Sequence, residues 1–148
     1  MRISVKGRYA LAAMISMAQN HNNGECITLI SISEKLGISK IYLEQVFSLL
    51  KRGKLVTSVK GANGGYQLAR MPEQITAYHI LSTVELSLFE NTAETISEKS
   101  PEIETAMRLS VFEPLDTAIK SILQKIALSD LVNEVEKHKT EQGYMYFI

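Results

Sequence analysis

Residues 28–53 read TLISISEKLGISKIYLEQVFSLLKRG, and the spacing of helix signals in this stretch decides the fold. Thr28 is placed to cap a short helix over 29–36, and Gly37 follows where a left-handed residue ends a helix without a Cβ penalty. Only two residues later Ser39 is placed to cap a further helix over 40–52, which Gly53 closes. Two short helices joined by a Gly-containing turn make a helix-turn-helix. In the second helix Leu43, Val46, Phe47 and Leu50 fall at i, i+3, i+4 and i+7, which predicts one apolar stripe turned toward the domain. The opposite face centres on Ile41, Gln45, Ser48 and Arg52, flanked by Tyr42 and Glu44. It is polar, mixed and free to touch another molecule.

Upstream, Ser4 can cap a first helix over 5–20 whose apolar face carries Tyr9, Ala10, Ala13, Met14, Met17 and Ala18. Residues 20–24 form a turn signal. Downstream, two β-prone runs at 55–59 and 66–68 flank the Gly-rich residues 60–65 and predict a hairpin. A hairpin directly after a helix-turn-helix is a wing. A phosphate-binding loop would need a helix after the glycines, and a second strand follows here instead. Pro72 closes the wing region, and Thr76 can cap a helix over 77–86.

Residues 90–100 are acidic, polar and aperiodic and predict a mobile loop. A long helical segment runs over 101–126, with Leu115, Ile119, Ile122, Leu123 and Ile126 in one stripe, and Pro114 is expected to kink or break it. Ser129 is placed to cap a last helix over 130–138. The expected fold is mainly α with a small β-hairpin wing: a winged helix-turn-helix plus a long C-terminal dimerisation helix. Its expected parts are a DNA-binding domain at 1–86, an acidic mobile loop at 87–100, dimerisation helices at 101–139 and an apolar C-terminal tail at 140–148. The stripe at 115–126 suits a symmetric dimer contact, and packing on the chain's own first helix is its other reading.

A net charge of zero conceals an asymmetry. Residues 1–70 carry ten Lys/Arg against three Asp/Glu, a net of +7, and residues 71–148 carry six against thirteen, a net of −7. A basic N-terminal half beside a predicted recognition helix suits a polyanion. Gln45 can contact adenine through two hydrogen bonds, and Glu44 can either accept from cytosine N4 or form a surface ion pair. Lys40 and Tyr42 can reach a phosphate or base edge, and Arg2, Lys6, Arg8 and the wing-tip Lys60 suit backbone contacts that set register. Thr28, Ser39, Gly61, Asn63 and Gly64 complete the expected DNA-binding set, the glycines because they let backbone approach the duplex.

No catalytic or metal site is expected, and no cofactor. His21, His79 and His138 lie far apart and outside ligand spacings, and no nucleophile motif occurs. One cysteine, Cys26, makes neither an internal disulfide nor a cysteine cage; it is either a small half-buried apolar residue or a redox-sensing thiol. No apolar run approaches membrane-spanning length and no signal-peptide core follows the N-terminus, so a cytoplasmic protein is expected. A winged helix answering to a redox or small-molecule signal, or one that binds protein instead of DNA, remains the alternative on these features alone.

The sequence resembles the Rrf-type winged-helix regulators. The resemblance rests on RISVKGRYA at 2–10, on Ile38-Ser39 with YLEQ at 42–45, on SVKG at 58–61 through Gly64-Gly65-Tyr66, on Ile75-Thr76 and on LSDL at 128–131. Many members hold an iron–sulfur cluster with three cysteines ahead of the long helix. Here no cysteine lies between Leu86 and Ile126, so such a cluster is not expected. The C-terminal Gly143-Tyr144-Met145-Tyr146-Phe147-Ile148 is similar to the tail of the CymR-like branch, repressors of cysteine metabolism in Gram-positive bacteria. That resemblance implies a homodimer, a pseudo-palindromic operator in double-stranded DNA, and cysteine synthase as a partner engaged through Tyr144, Met145, Tyr146, Phe147 and Ile148. The same apolar residues can instead pack on the protein's own dimer, since leaving them in water costs about 25 cal/mol per Å².

Overall fold

A computed structural model describes residues 3–21 and 26–146, with side chains described as far as residue 141. Helix α1 (Val5–Gln19) starts where the Ser4 hydroxyl accepts the Gly7 N–H at 3.2 Å. Helix α2 (Leu29–Leu36) is capped by Thr28, whose side chain accepts from Ser31, and ends on Gly37 at φ 68°. Helix α3 (Lys40–Arg52) is capped by Ser39. The turn between α2 and α3 is fastened by the Ser33 hydroxyl, which donates to the Ile38 carbonyl at 2.6 Å.

Leu43, Val46, Phe47 and Leu50 of α3 are wholly buried against Ala10, Ala13, Met14 and Met17 of α1 and Ile32 of α2. Each large apolar side chain buried this way stabilises the fold by roughly 1.5–3 kcal/mol. The exit from α3 departs from the expected glycine stop. Gly53 caps the helix at φ −77°, and the left-handed residue is Lys54 at φ 60°. Lys54 N–H donates to Lys51 and Leu55 N–H to Leu50, both at 3.0 Å, which is the paired bonding of a Schellman end. Gly53 is small for another reason: a Cβ there would stand 2.6 Å from Thr83 Cγ2.

Strands β1 (Val56–Val59) and β2 (Gly65–Leu68) form the antiparallel wing, with Val56 opposite Leu68 and Val59 opposite Gly65. Ile27 joins as a single bridging residue, exchanging two 2.8 Å hydrogen bonds with Tyr66. The wing is thus pinned to the segment entering α2, and a Cβ on Gly65 would stand 2.6 Å from the Ile27 carbonyl. A 3-10 turn at Pro72–Gln74 leads to buried Ile75 and helix α4 (Ala77–Val84). This helix stops two residues short of the expected end, and a 3-10 turn covers Leu86–Phe89.

Residues 91–94 have no helix, strand or turn, and further on the buried Glu104 carboxylate accepts from the Thr95 and Ile96 N–H groups. Helix α5 (Pro101–Met107), a π-helical turn at Arg108–Phe112 and helix α6 (Glu113–Gln124) then follow without a break. The expected disruption at Pro114 takes this form: the wide turn just ahead of it lets Glu113 N–H reach back to Arg108, and proline enters at the start of α6, where no donor is needed.

Helix α7 spans Leu128–Tyr146, beginning earlier and ending later than the expected 130–138. Ser129 is not its cap. Asp130 reaches back to accept the Ala127 N–H at 2.9 Å, so the cap falls at Ala127. Leu128 is wholly buried, and α7 packs on α1 with Leu131 and Val132 against the common core. The junction is tied by Ala77 N–H to Ile126 O at 2.8 Å and Leu128 N–H to Ile75 O at 2.7 Å. Tyr144, Met145 and Tyr146 form the end of α7, and Phe147 and Ile148 lie outside the described residues, as does most of the expected 20–24 turn. No helix among the described residues is long and apolar enough to cross a membrane.

Candidate nucleic-acid interface

The core stripe of α3 leaves its other face bare. Lys40, Ile41, Glu44, Gln45, Ser48 and Arg52 are all exposed. Lys40 Nζ stands 3.9 Å from Glu44 Oε1, one turn along the helix. Both side chains are about half in solvent, where such a pair is worth roughly 0–1 kcal/mol, so an arriving phosphate or base edge can dissolve it. Tyr42 is placed differently from its neighbours. Its ring is half-buried and meets Tyr9 edge to face, with centroids 5.1 Å apart at 81°. That contact locks the first turn of α3 onto α1.

The Thr28 and Ser39 hydroxyls accept from Ser31 N–H and Tyr42 N–H and so serve as caps at the entrances of α2 and α3. The wing tip carries Lys60, Gly61 and Asn63, all exposed, with Gly61 at φ 113°, a conformation that favours glycine. Gly64 is half-buried, and a Cβ there would collide with the Val59 carbonyl. The Phe47 and Tyr66 rings meet at a tilt of 56° with centroids 4.8 Å apart, a contact that joins the recognition helix to the wing strand. On α1, Arg8 is exposed and Lys6 half-buried, while Arg2 lies outside the described residues.

What holds Lys6 and Arg8 in place escaped the sequence reading. Glu85, at the end of α4 and 8 % exposed, accepts from the Ser4 backbone N–H at 2.8 Å and from the Ser4 hydroxyl. Gly7 lies against that carboxylate, and a Cβ there would strike it and Ile3 Cγ2. A carboxylate ending the apolar run 77–84 was the sole signal in the chain, and it does not by itself name its partner.

At the other end of α4, Thr76 and His79 form a reciprocal cap: Thr76 N–H donates to His79 Nδ1 at 3.0 Å, and His79 N–H to Thr76 Oγ1 at 3.1 Å. Burial, with the charge of Arg70 as a lesser cause, lowers the His79 pKa below its ordinary value. Cys26 is half-buried and borders the wing; a Cβ on Gly65 would stand 3.3 Å from its own Cβ. In the α6 stripe Leu115 and Ile122 are 54 % and 60 % exposed, and Ile119, Leu123 and Ile126 are half-buried.

A helix-turn-helix with a bare recognition face, braced by a glycine-rich, lysine-tipped hairpin, defines a winged-helix transcriptional regulator that binds DNA. Residues 3–134 match the Rrf2 family, described as iron-dependent transcriptional regulators, and the chain belongs to that family. It is 33 % identical to the HTH-type transcriptional regulator CymR of Bacillus subtilis over 148 residues, 100 % of each chain. The solved structure of CymR (YrzC), the global cysteine regulator of B. subtilis, superposes with a TM-score of 0.73 at 34 % identity, covering 90 % of this chain and 98 % of that one. IscR of T. potens superposes with a TM-score of 0.74 at 35 % identity, covering 99 % and 96 %. These relatives are regulators, not enzymes.

The donor set here does not fit a cysteine-held iron–sulfur cluster. The one cysteine borders the wing, and none lies between Leu86 and Ile126. Among the described residues no group of three or more His, Cys, Asp or Glu is placed to hold a metal ion.

Proposed function

We propose that this protein is a homodimeric repressor of the CymR-like branch, controlling genes of sulfur and cysteine metabolism, with cysteine synthase as its co-regulator. The observation that carries the reading is end-to-end similarity to CymR over all 148 residues, in a chain whose single cysteine excludes the three-thiolate donor set. In each protomer α3 enters the major groove by its N-terminal turn. Gln45 reads adenine, and Glu44 exchanges Lys40 for a cytosine amine. Lys40, Lys6, Arg8 and Lys60 meet phosphates, with Gly61, Asn63 and Gly64 bringing wing backbone close to the duplex. Leu115, Ile119, Ile122, Leu123 and Ile126 join two copies, so that two recognition helices meet the halves of a pseudo-palindromic operator. The end of α7, from Tyr144 onward, engages cysteine synthase.

The test pairs two measurements. Gel-shift titration on promoter fragments of cysteine-metabolism genes reads the operator. Calorimetry of full-length protein, and of a chain lacking Tyr146–Ile148, against cysteine synthase reads the partner. Binding by the full chain and loss on truncation support the proposal, and equal affinity of both chains removes the partner. A redox signal through Cys26 is favoured by its place beside Gly65, where an added oxygen would press on the wing strand; a Cys26→Ser chain that keeps its oxidant response in cells ends that reading.

A further inference from the structure

Ile41 is 72 % exposed, more than any other large apolar side chain among the described residues. It sits in the first turn of α3, opposite the buried stripe of Leu43, Val46, Phe47 and Leu50, so folding gives it no apolar cover. Its neighbours on that face, Lys40, Glu44 and Gln45, are exposed and polar. An isoleucine in a helix keeps essentially one χ1 rotamer, so its Cγ2 methyl and the root of its ethyl arm are fixed before any partner arrives. Cα–Cβ bonds in a helix tilt toward the N-terminus, the end of a recognition helix that enters the groove first. The major groove presents a single apolar feature to such a side chain, the C5-methyl of thymine.

We infer that Ile41 selects thymine: its side chain packs on the C5-methyl of a thymine next to the base pair that Gln45 contacts, one helical turn along the same face. The inference rests on the DNA-reading role proposed for α3 and deepens it. Cytosine at that position is disfavoured twice, because it lacks the methyl and because its N4 amine would be desolvated against an aliphatic surface. Ile41 is thereby a specificity-determining residue that adds no charge and no salt dependence.

The test begins by selecting bound duplexes from a random-sequence pool with the full-length protein. The enriched duplex is then titrated by fluorescence anisotropy, as it stands and with deoxyuridine replacing each thymine in turn, which removes only the methyl group. The expected result is one position in each half-site at which the swap weakens binding about three- to tenfold. For Ile41→Ala the same swap should change affinity by less than about twofold. A protein indifferent to every swap, or an Ile41→Ala chain that keeps the sensitivity, overturns the inference while leaving DNA reading by α3 intact. A selection that enriches no sequence removes the reading of α3 itself, and Ile41 with it. Sedimentation of both chains without DNA covers the other occupant: if Ile41→Ala changes only the oligomeric state, a second copy is what Ile41 meets and the inference falls.

Discussion

The Glu85 carboxylate accepts both the backbone N–H and the hydroxyl of Ser4, a residue 81 positions earlier in the chain. Ser4 in turn caps α1 through Gly7 N–H, so the end of α4 sets where α1 begins and where Lys6 and Arg8 point. A buried acceptor serving two donors costs more to remove than an average hydrogen bond, because both donors are then left unpaired. Glu85→Ala should therefore lower unfolding free energy by about 1–3 kcal/mol and weaken DNA binding, while Glu85→Gln, which keeps the oxygen, should lose less. Urea titration of the three chains checks this; an alanine chain as stable as the parent would show the pairing to be idle.

Lys54 occupies the left-handed region at φ 60°, where a Cβ costs roughly 1–2 kcal/mol. The bonding of Leu55 to Leu50 holds it there regardless. Glycine relieves that cost and gives back part of it through a freer unfolded chain, so Lys54→Gly should stabilise the protein by about 0.5–1 kcal/mol. Thermal unfolding should show a higher midpoint; a lower one would mean that the lysine side chain contributes more than its backbone costs.

The limits of what could be read from sequence follow the same division between local and distant causes. The bounds of α2 and α3 were legible to the residue because Thr28, Gly37 and Ser39 act within three positions of themselves. Lys54 was not, because the obvious candidate, Gly53, is kept small by Thr83 thirty positions away and has no need of a left-handed conformation. The start of α7 was misplaced because Asp130 caps backward onto Ala127, and its packing depends on α1 at the other end of the chain. In the candidate site the bare face of α3 followed from its periodicity. The half-burial of Tyr42 did not, since its partner Tyr9 belongs to another helix.

His79 links stability to pH. Its Nδ1 accepts the Thr76 N–H only when unprotonated, and a cation there would face the positive end of the α4 dipole. With the folded pKa held below 6.5, the unfolded chain takes up the proton first as pH falls. The stabilisation is thus complete above about pH 6.5 and is lost as pH falls through the folded value. His79→Gln keeps an acceptor at the third helical position without titrating, so its urea midpoint should vary less over that window than the parent's. His21 and His138 are present in both chains and cancel in the comparison. Parallel curves would remove His79 as the cause.

Gln45 and Lys60 should separate by what their removal does to specificity. A two-point contact to adenine is worth about 1–3 kcal/mol of discrimination, so Gln45→Ala should weaken the cognate duplex far more than random duplex. Lys60 at the exposed wing tip should instead weaken all duplexes alike when replaced by alanine, and lower the slope of log affinity against log salt by about 0.9 for each phosphate it no longer neutralises. Anisotropy titrations at several salt concentrations measure both, and a Lys60→Ala chain with an unchanged slope would take the wing tip off the phosphate backbone.

Leu115 and Ile122 stand on α6 with more than half their surface in water, while α7 packs on α1 and α6 packs on α4. The exposed apolar surface of these two residues is what the proposed second copy would cover. Removing it from water in a dimer stabilises by about 25 cal/mol per Å² of apolar area, and a charge placed there must be desolvated without a partner. Ile122→Glu should accordingly shift the protein to monomer in sedimentation at micromolar concentration while leaving its helical circular dichroism in place. With one recognition helix per molecule, it should also lose the affinity gained from engaging two half-sites together. An Ile122→Glu protein that sediments as a dimer would move the twofold contact away from this stripe, and with it the spacing expected between the half-sites.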